Sequence, residues 1–366
     1  MESKKVNCSG SNSSSNGSGS TAASSSSTGL YDTVWECVIP YVQDPRDRAR
    51  CRWCRLSRRF PQLESLKLKG KPRAAMFNLI DEDWGGYVTP WVEEVIGAFG
   101  RMKALHFRRM IVSDADLELL ATSRAGDLLE VLKLDKCSGF TTNGLLHIGR
   151  FCRNLRTLSM EESTITENDG EWLHQLALNN TVLEHLNFYT TYLTRVRAGD
   201  IELIASRCPS LASIKISDCD ISDLTGFFRA AASLEEFGGG SFSESPGRAG
   251  EIVSNEQLER YASVAFPPRL SRLGLSFLGK AEMPIVYPVA SKLKKLDLLF
   301  ALLDTEGHCQ LLQRCPNLEF LEAITPDNRK TPRKTLAPTK SELSFNIWYN
   351  GDSLRKNDAP KCGTRM

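Results

Sequence analysis

The 366-residue sequence predicts an α/β solenoid, in which one short strand and one helix per repeat stack into a curved parallel sheet with outer helices. Three observations carry that expectation: a recurring apolar ladder, amphipathic stretches between its copies, and cysteines at a fixed phase to it. The ladder L-x-x-L-x-L recurs at Leu63/Leu66/Leu68, Met102/Leu105/Phe107, Leu129/Leu132/Leu134, Leu155/Leu158/Met160, Leu183/Leu186/Phe188, Leu211/Ile214/Ile216, Leu270/Leu273/Leu275 and Leu293/Leu296/Leu298. Weaker copies begin at Leu234 and Leu318. The commonest step, roughly 23 to 28 residues, lies in the leucine-rich-repeat range.

Each ladder supplies a strand whose alternate apolar side chains point one way. Between ladders, residues 143–151, 171–177 and 199–205 carry apolar side chains at helical spacing. Cys152, Cys208 and Cys315 each stand three residues before a ladder leucine, and Cys137 and Cys219 three residues after a ladder's last apolar residue. Small buried thiols suit the tight inner turns of a solenoid. The odd count of 11 cysteines and their recurrence by repeat argue for free thiols in a reducing compartment. Cys51-x-x-Cys54 has no second ligand pair at the usual spacing, so no metal site is expected.

The two ends differ from the middle. Residues 1–29 are rich in Ser, Gly and Asn, too poor in apolar groups to offset ordering entropy, and are expected to be disordered. The solenoid is expected over residues 57–325, about ten repeats without a cap, followed by a non-repeat, disordered tail over 326–366. No apolar run approaches the roughly 20 residues that cross a membrane. A net charge of +2 makes no general case for nucleic acid, so any electrostatic function must come from local clustering. The sequence holds no nucleophile elbow, H-E-x-x-H, phosphate loop or dinucleotide fingerprint, and we expect no catalytic residues.

Cations, glycines and large apolar residues crowd together from Lys67 to Leu79 and on through Trp84-Gly-Gly-Tyr87, which reads as a ligand loop. Taken alone, a Lys/Arg cluster on a solenoid is more often a solvated face, Phe77 a lid over the core, and His106 a surface residue. Trp84, Tyr87 and Trp91 are assigned to packing of the loop itself.

Preceding the solenoid, Val34, Val38, Ile39 and Val42, with Pro40 among them, make a short apolar helix face, and Asp44-Pro-Arg-Asp-Arg48 looks like the turn opening a second helix. Together with Lys69-Gly-Lys-Pro-Arg-Ala-Ala-Met-Phe77, His106-Phe-Arg-Arg-Met110, Leu132-Lys-Leu-Asp-Lys-Cys-Ser-Gly-Phe140 and Glu282-Met-Pro284, these segments resemble the plant coronatine-insensitive family of F-box jasmonate receptors, from about Tyr31 to Leu321.

That resemblance implies a partial F-box over residues 30–56 and a non-catalytic substrate adaptor of an SCF ubiquitin ligase. Its partners would be a Skp-type adaptor, gripped through Val34, Val38, Ile39, Pro40 and Val42, a cullin, and jasmonate-ZIM-domain repressors; its ligands would be jasmonoyl-isoleucine and an inositol phosphate. The hormone would meet Arg73, Ala74, Phe77 and Leu79: a planar fork of donors for a carboxylate or keto oxygen, beside small and apolar walls. Lys67, Lys69, Arg73, His106 and Arg109 would face the inositol phosphate, and Leu299 and Phe300 the repressor degron. The family has tyrosine where this chain has Phe300, further residues between Trp53 and Arg58, and further repeats beyond Thr325. The chain therefore reads as truncated in the F-box and at its C-terminal end, with impaired activity. The alternative is a non-signalling leucine-rich-repeat scaffold or an inactive splice or gene-model fragment. The expected location is the nucleus, with the cytoplasm undistinguished from it.

Overall fold

The computed structural model describes residues 60, 62–70, 86–168, 171–191, 193–242, 255–324 and 344–346. Eleven strands form one sheet, in the spatial order β1 (Ser65–Lys69), β2 (Ala104–Arg108), β3 (Val131–Asp135), β5 (Thr157–Ser159), β7 (His185–Asn187), β8 (Ser213–Asp220), β9 (Glu236–Ser241), β10 (Arg272–Ser276), β11 (Lys295–Leu299), β12 (Phe320–Ile324) and β13 (Ser344–Asn346). Two short strands, β4 (Phe140–Thr141) and β6 (Ile165–Thr166), pair with each other. Every strand pairing among the described residues is parallel, so each strand returns to the next by a crossover through a helix or loop.

Register follows the ladder. Leu105 pairs with Leu132, Leu132 with Leu158, Leu158 with Leu186 and Leu186 with Ile214, so one leucine column runs through the core across five strands. All five are buried, as are Leu234, Phe237, Leu318 and Leu321 of the two weaker copies. Leu63, which begins the first described repeat, is half-buried.

Helices form where the apolar period changes from two to three or four. Thr142–Phe151, Glu171–Asn179 and Ala198–Arg207 coincide with the three predicted segments. The first is capped by Thr141, whose hydroxyl accepts from the Asn143 N–H. Helix Asp114–Thr122 begins with a capping box between Ser113 and Asp116. Neighbouring helices approach closely: a Cβ on Gly149 would stand 2.8 Å from the Trp172 carbonyl oxygen.

The cysteine phase has a structural reason. Cys152, Cys208 and Cys315 are buried at or just beyond helix ends. Between the first two repeats the same place is taken by Asn180, fully buried, which donates to the Cys152 carbonyl at 3.2 Å and accepts from the Val182 N–H at 3.1 Å. The Cys208 thiol donates in turn to the Asn180 carbonyl at 3.3 Å. At these two returns a buried backbone carbonyl meets a side-chain donor, the Asn180 carboxamide in one and the Cys208 thiol in the other. None of the six described cysteines is in a disulfide.

A second repeat feature has no ladder signature. Arg109, Lys136, Glu162, Thr190, Phe277 and Phe300 all have φ between 52° and 60° and all stand two residues beyond the last apolar residue of a ladder. Left-handed backbone costs a non-glycine residue about 1–2 kcal/mol. It is offset here by hydrogen bonds into the next repeat: Arg109 N–H to Asp135 O at 3.1 Å, Lys136 to Glu161 at 2.9 Å, Glu162 to Tyr189 at 3.0 Å and Phe277 to Leu299 at 2.8 Å. The side chains of these residues mark one edge of the sheet, where the strands end.

One expectation is corrected, and one lies almost wholly outside the described residues. Of the tail 326–366, expected to be disordered, residues 344–346 are described, and they form β13, which pairs with Phe320, Leu321 and Glu322. The free backbone groups on the open side of β12 take up any extended segment within reach. Tyr87 does not pack the loop: it is 53% exposed, while Val88 fills the core position and donates to the Ile111 carbonyl at 3.0 Å. Gly86, at φ 84°, makes the turn that puts Tyr87 outside. Trp91 is half-buried on helix Thr89–Ala98, and Trp84 lies outside the described residues.

Candidate functional site

The candidate site is the edge where β1, β2 and β3 end. Lys67 pairs with His106 and His106 with Lys133, so three basic side chains form a row across three strands, each between two buried apolar residues and hence on the opposite face from the core. The next row on that face is Lys69, Arg108 and Asp135. Arg109 follows, in the left-handed conformation. Gly70, buried, donates to the Arg108 carbonyl at 2.8 Å, which anchors the start of the loop on β2.

One carboxylate sits in this cationic set. His106 Nε2 lies 2.9 Å from Asp135 Oδ2, and the Ser159 hydroxyl donates to Asp135 Oδ1 at 2.7 Å. Burial pushes the Asp135 carboxyl up, but the bonds from His106 and Ser159, with the charges of His106 and Lys133, outweigh it and leave the group below its ordinary value. Farther along the edge, Lys136 is ion-paired with Glu162. The basic cluster therefore extends from β1 to β3 and is balanced beyond it. Among the described residues no group of His, Cys, Asp and Glu could hold a metal ion.

The structure thus brings together Lys67, Lys69, His106 and Arg109, the predicted anion-binding residues that it describes. Arg73, Ala74, Phe77 and Leu79 lie outside the described residues, as do Val34, Val38, Ile39, Pro40, Val42 and the Cys51/Cys54 pair. Leu299 and Phe300 stand at the same sheet edge but seven strand steps from β2, about 34 Å along the sheet. Leu299 ends β11, and the Phe300 ring stacks on Phe277 with centroids 5.4 Å apart and planes at 19°. Leu302, 48% exposed, extends this apolar patch.

Residue-by-residue reading passed over Lys133, Arg108, Asp135 and Phe277. Lys133 was recoverable, since it stands between Leu132 and Leu134 as Lys67 stands between Leu66 and Leu68. Asp135 and Phe277 carry no such local mark.

Comparison with known proteins shows what the chain is similar to. A profile for the transport inhibitor response 1 protein domain matches residues 61–107, and an F-box profile matches residues 27–51. The coronatine-insensitive protein 1 of Arabidopsis thaliana is 53% identical over 323 residues, 81% of this chain and 53% of that protein. Over that span the chain is a homologue of the coronatine-insensitive proteins. The homolog 1b of Oryza sativa subsp. japonica is 52% identical over 310 residues, 78% of this chain and 50% of that protein. The chain spans about half the length of the curated relatives it matches. Among solved structures, a chain of the yeast Rad7 and Elc1 complex aligns at 18% identity with a TM-score of 0.49, over 77% of this chain and 69% of that one. The chain thus carries an F-box match, a transport-inhibitor-response match and a leucine-rich-repeat sheet.

Proposed function

We propose that the chain is a substrate-recognition subunit of an SCF ubiquitin ligase and a jasmonate co-receptor, which captures jasmonate-ZIM-domain repressors for ubiquitination in the nucleus. The observation that carries this reading is the row of basic residues on the adjacent strands β1 to β3, in a chain 53% identical over 323 residues to a coronatine-insensitive protein. A polyanion needs several cations converging from rigid elements, and three adjacent strands supply them. An inositol phosphate on Lys67, Lys69, His106 and Arg109 would brace the loop that follows Gly70; Arg73 would take an acidic or keto oxygen of jasmonoyl-isoleucine, and Ala74, Phe77 and Leu79 its apolar parts. Leu299 and Phe300, stacked with Phe277, would seat apolar side chains of the repressor degron. The chain would act by positioning, with the ubiquitin chemistry left to other subunits of the ligase.

The test has two arms. Co-purification with a plant Skp-type adaptor, scored against a protein carrying a complete F-box, checks the ligase half; a stable one-to-one complex supports it and its absence rejects it. Capture of a repressor degron peptide by the chain with jasmonoyl-isoleucine and inositol hexakisphosphate checks the receptor half. No hormone-dependent binding at high micromolar peptide would reject that half for this chain.

A second reading is a leucine-rich-repeat scaffold that binds neither hormone nor adaptor. The His106–Asp135 and Lys136–Glu162 pairs favour it, because cations balanced by neighbouring carboxylates are what a solvated solenoid face presents. Negative results in both arms, from a chain that melts cooperatively as a monomer, would establish it.

A further inference from the structure

The edge at which the strands begin, opposite to the candidate site, carries a second cationic set. The helices Thr142–Phe151, Glu171–Asn179 and Ala198–Arg207 each end four residues before a ladder leucine, so their last turns stand side by side on successive repeats. Bonds between repeats tie these turns together: Asn180 donates to the Cys152 carbonyl at 3.2 Å and Arg207 Nη2 to the Leu178 carbonyl at 3.4 Å. Asn154 donates to the Asp127 carbonyl at 2.7 Å, which joins the short helix Arg124–Leu128 to the same edge.

Three large apolar side chains here face water. Phe151, Leu178 and Val182 are 37–42% exposed. The Phe151 ring stacks on His147, with centroids 6.4 Å apart and planes at 13°, so one face of it is supported and the other is open. A single exposed apolar residue needs no explanation, but three on two adjacent repeats form a patch.

Arginines surround it. Arg124, Arg150 and Arg153 are exposed and make no ion pair among the described residues, and Arg207 lies against the carbonyl end of the neighbouring helix. Two carboxylates of this edge, Glu130 and Glu184, are taken up by Arg156. The negative end of a helix accounts for Arg150 and Arg207 in their last turns, but Arg124 opens its helix, where a cation is disfavoured. Helix dipoles therefore do not explain the set.

We propose that this patch docks an acidic, amphipathic segment of a protein partner, whose apolar side chains cover Phe151, Leu178 and Val182 while its carboxylates meet Arg124, Arg150, Arg153 and Arg207. Arginine forks take carboxylates in pairs of bonds, and arginine with aromatic side chains is the composition in which protein contacts concentrate their energy. A nucleic-acid backbone brings no apolar side chains to the three exposed ones, and an anionic bilayer would press on the exposed Asp127 as well. The patch lies at the other edge of the sheet from the hormone, inositol-phosphate and degron residues, and its test uses none of those ligands.

The experiment is fluorescence anisotropy of the whole chain with a labelled helical peptide of Glu, Leu and Phe, its apolar residues on one face. Binding is expected in the tens of micromolar and to weaken as salt rises. Arg150→Glu combined with Arg153→Glu is expected to weaken it at least about tenfold, and Phe151→Ser about fivefold, with unchanged melting profiles. Leu178→Ser serves where Phe151→Ser lowers the melting temperature. Lys292→Glu, on the same edge but outside the patch, is expected to leave the affinity unchanged. The proposal is overturned by no binding at hundreds of micromolar, by equal binding of a peptide with Ser in place of Leu and Phe, by equal affinity in all variants, or by tighter binding of phosphatidylserine vesicles or polyuridylate than of the peptide.

Discussion

His106 Nε2 stands 2.9 Å from Asp135 Oδ2, across the β2–β3 boundary, and the same carboxylate accepts from Ser159 on β5. One acid thus ties three consecutive repeats and orients a basic residue of the candidate anion site.

Replacing Asp135 by Asn is expected to destabilise the solenoid by about 1–2 kcal/mol at pH 7. The sign with pH follows from the lowered carboxyl value. A group depressed in the folded state contributes fully above its unfolded value near 3.8 and loses that contribution as pH falls through the folded value. Urea titrations of both proteins at pH 7 and pH 3 check this: the difference shrinks at the lower pH, and a constant difference would reject the assignment.

Thiol reactivity is expected to divide by burial. Burial pushes the Cys137 and Cys152 thiols up to about 12, so almost no thiolate forms at pH 8. Cys219 and Cys309 are half-buried. Iodoacetamide labelling of the native chain, read by mass spectrometry, should modify Cys219 and Cys309 well before Cys137 and Cys152; equal rates would contradict the packing described.

Glycine at a left-handed rim position should relieve backbone strain. Arg109→Gly is expected to leave thermal stability unchanged or raise it by up to about 1 kcal/mol, while weakening inositol hexakisphosphate binding several-fold. Phe300→Val, which puts a β-branched residue at φ 52° and removes the stack on Phe277, is expected to lower stability by about 1–3 kcal/mol. Melting curves and calorimetric titration of the two variants separate the effects.

In the leucine column, Leu132→Ala is expected to remove about 2–5 kcal/mol, because neighbours from β2 and β5 leave no slack to fill the cavity. Denaturant unfolding measures it. A loss below about 1 kcal/mol would mean that the column collapses freely.

Much of the architecture was legible in the sequence because repeats write their geometry locally. Leu66-Lys-Leu68 and Leu132-Lys-Leu134 announce a strand with one apolar and one open face, and the segment Asn143–Phe151 announces a helix by spacing alone. The candidate anion residues Lys67, Lys69, His106 and Arg109 followed from resemblance, and the structure sets them on adjacent strands. Less legible were the rim conformations, because Arg109 and Phe300 carry no glycine to mark a positive φ, and the β13 pairing, because a three-residue strand has no period to read.

The sequence by itself determined the repeat, its phase and the buried column, since each depends on side-chain pattern within about 25 residues. Only the tertiary structure decided that Asp135 engages His106 and that Phe277 stacks on Phe300. Those contacts join residues on different strands, and the inter-repeat register that places them is set by hydrogen bonds and core packing between repeats.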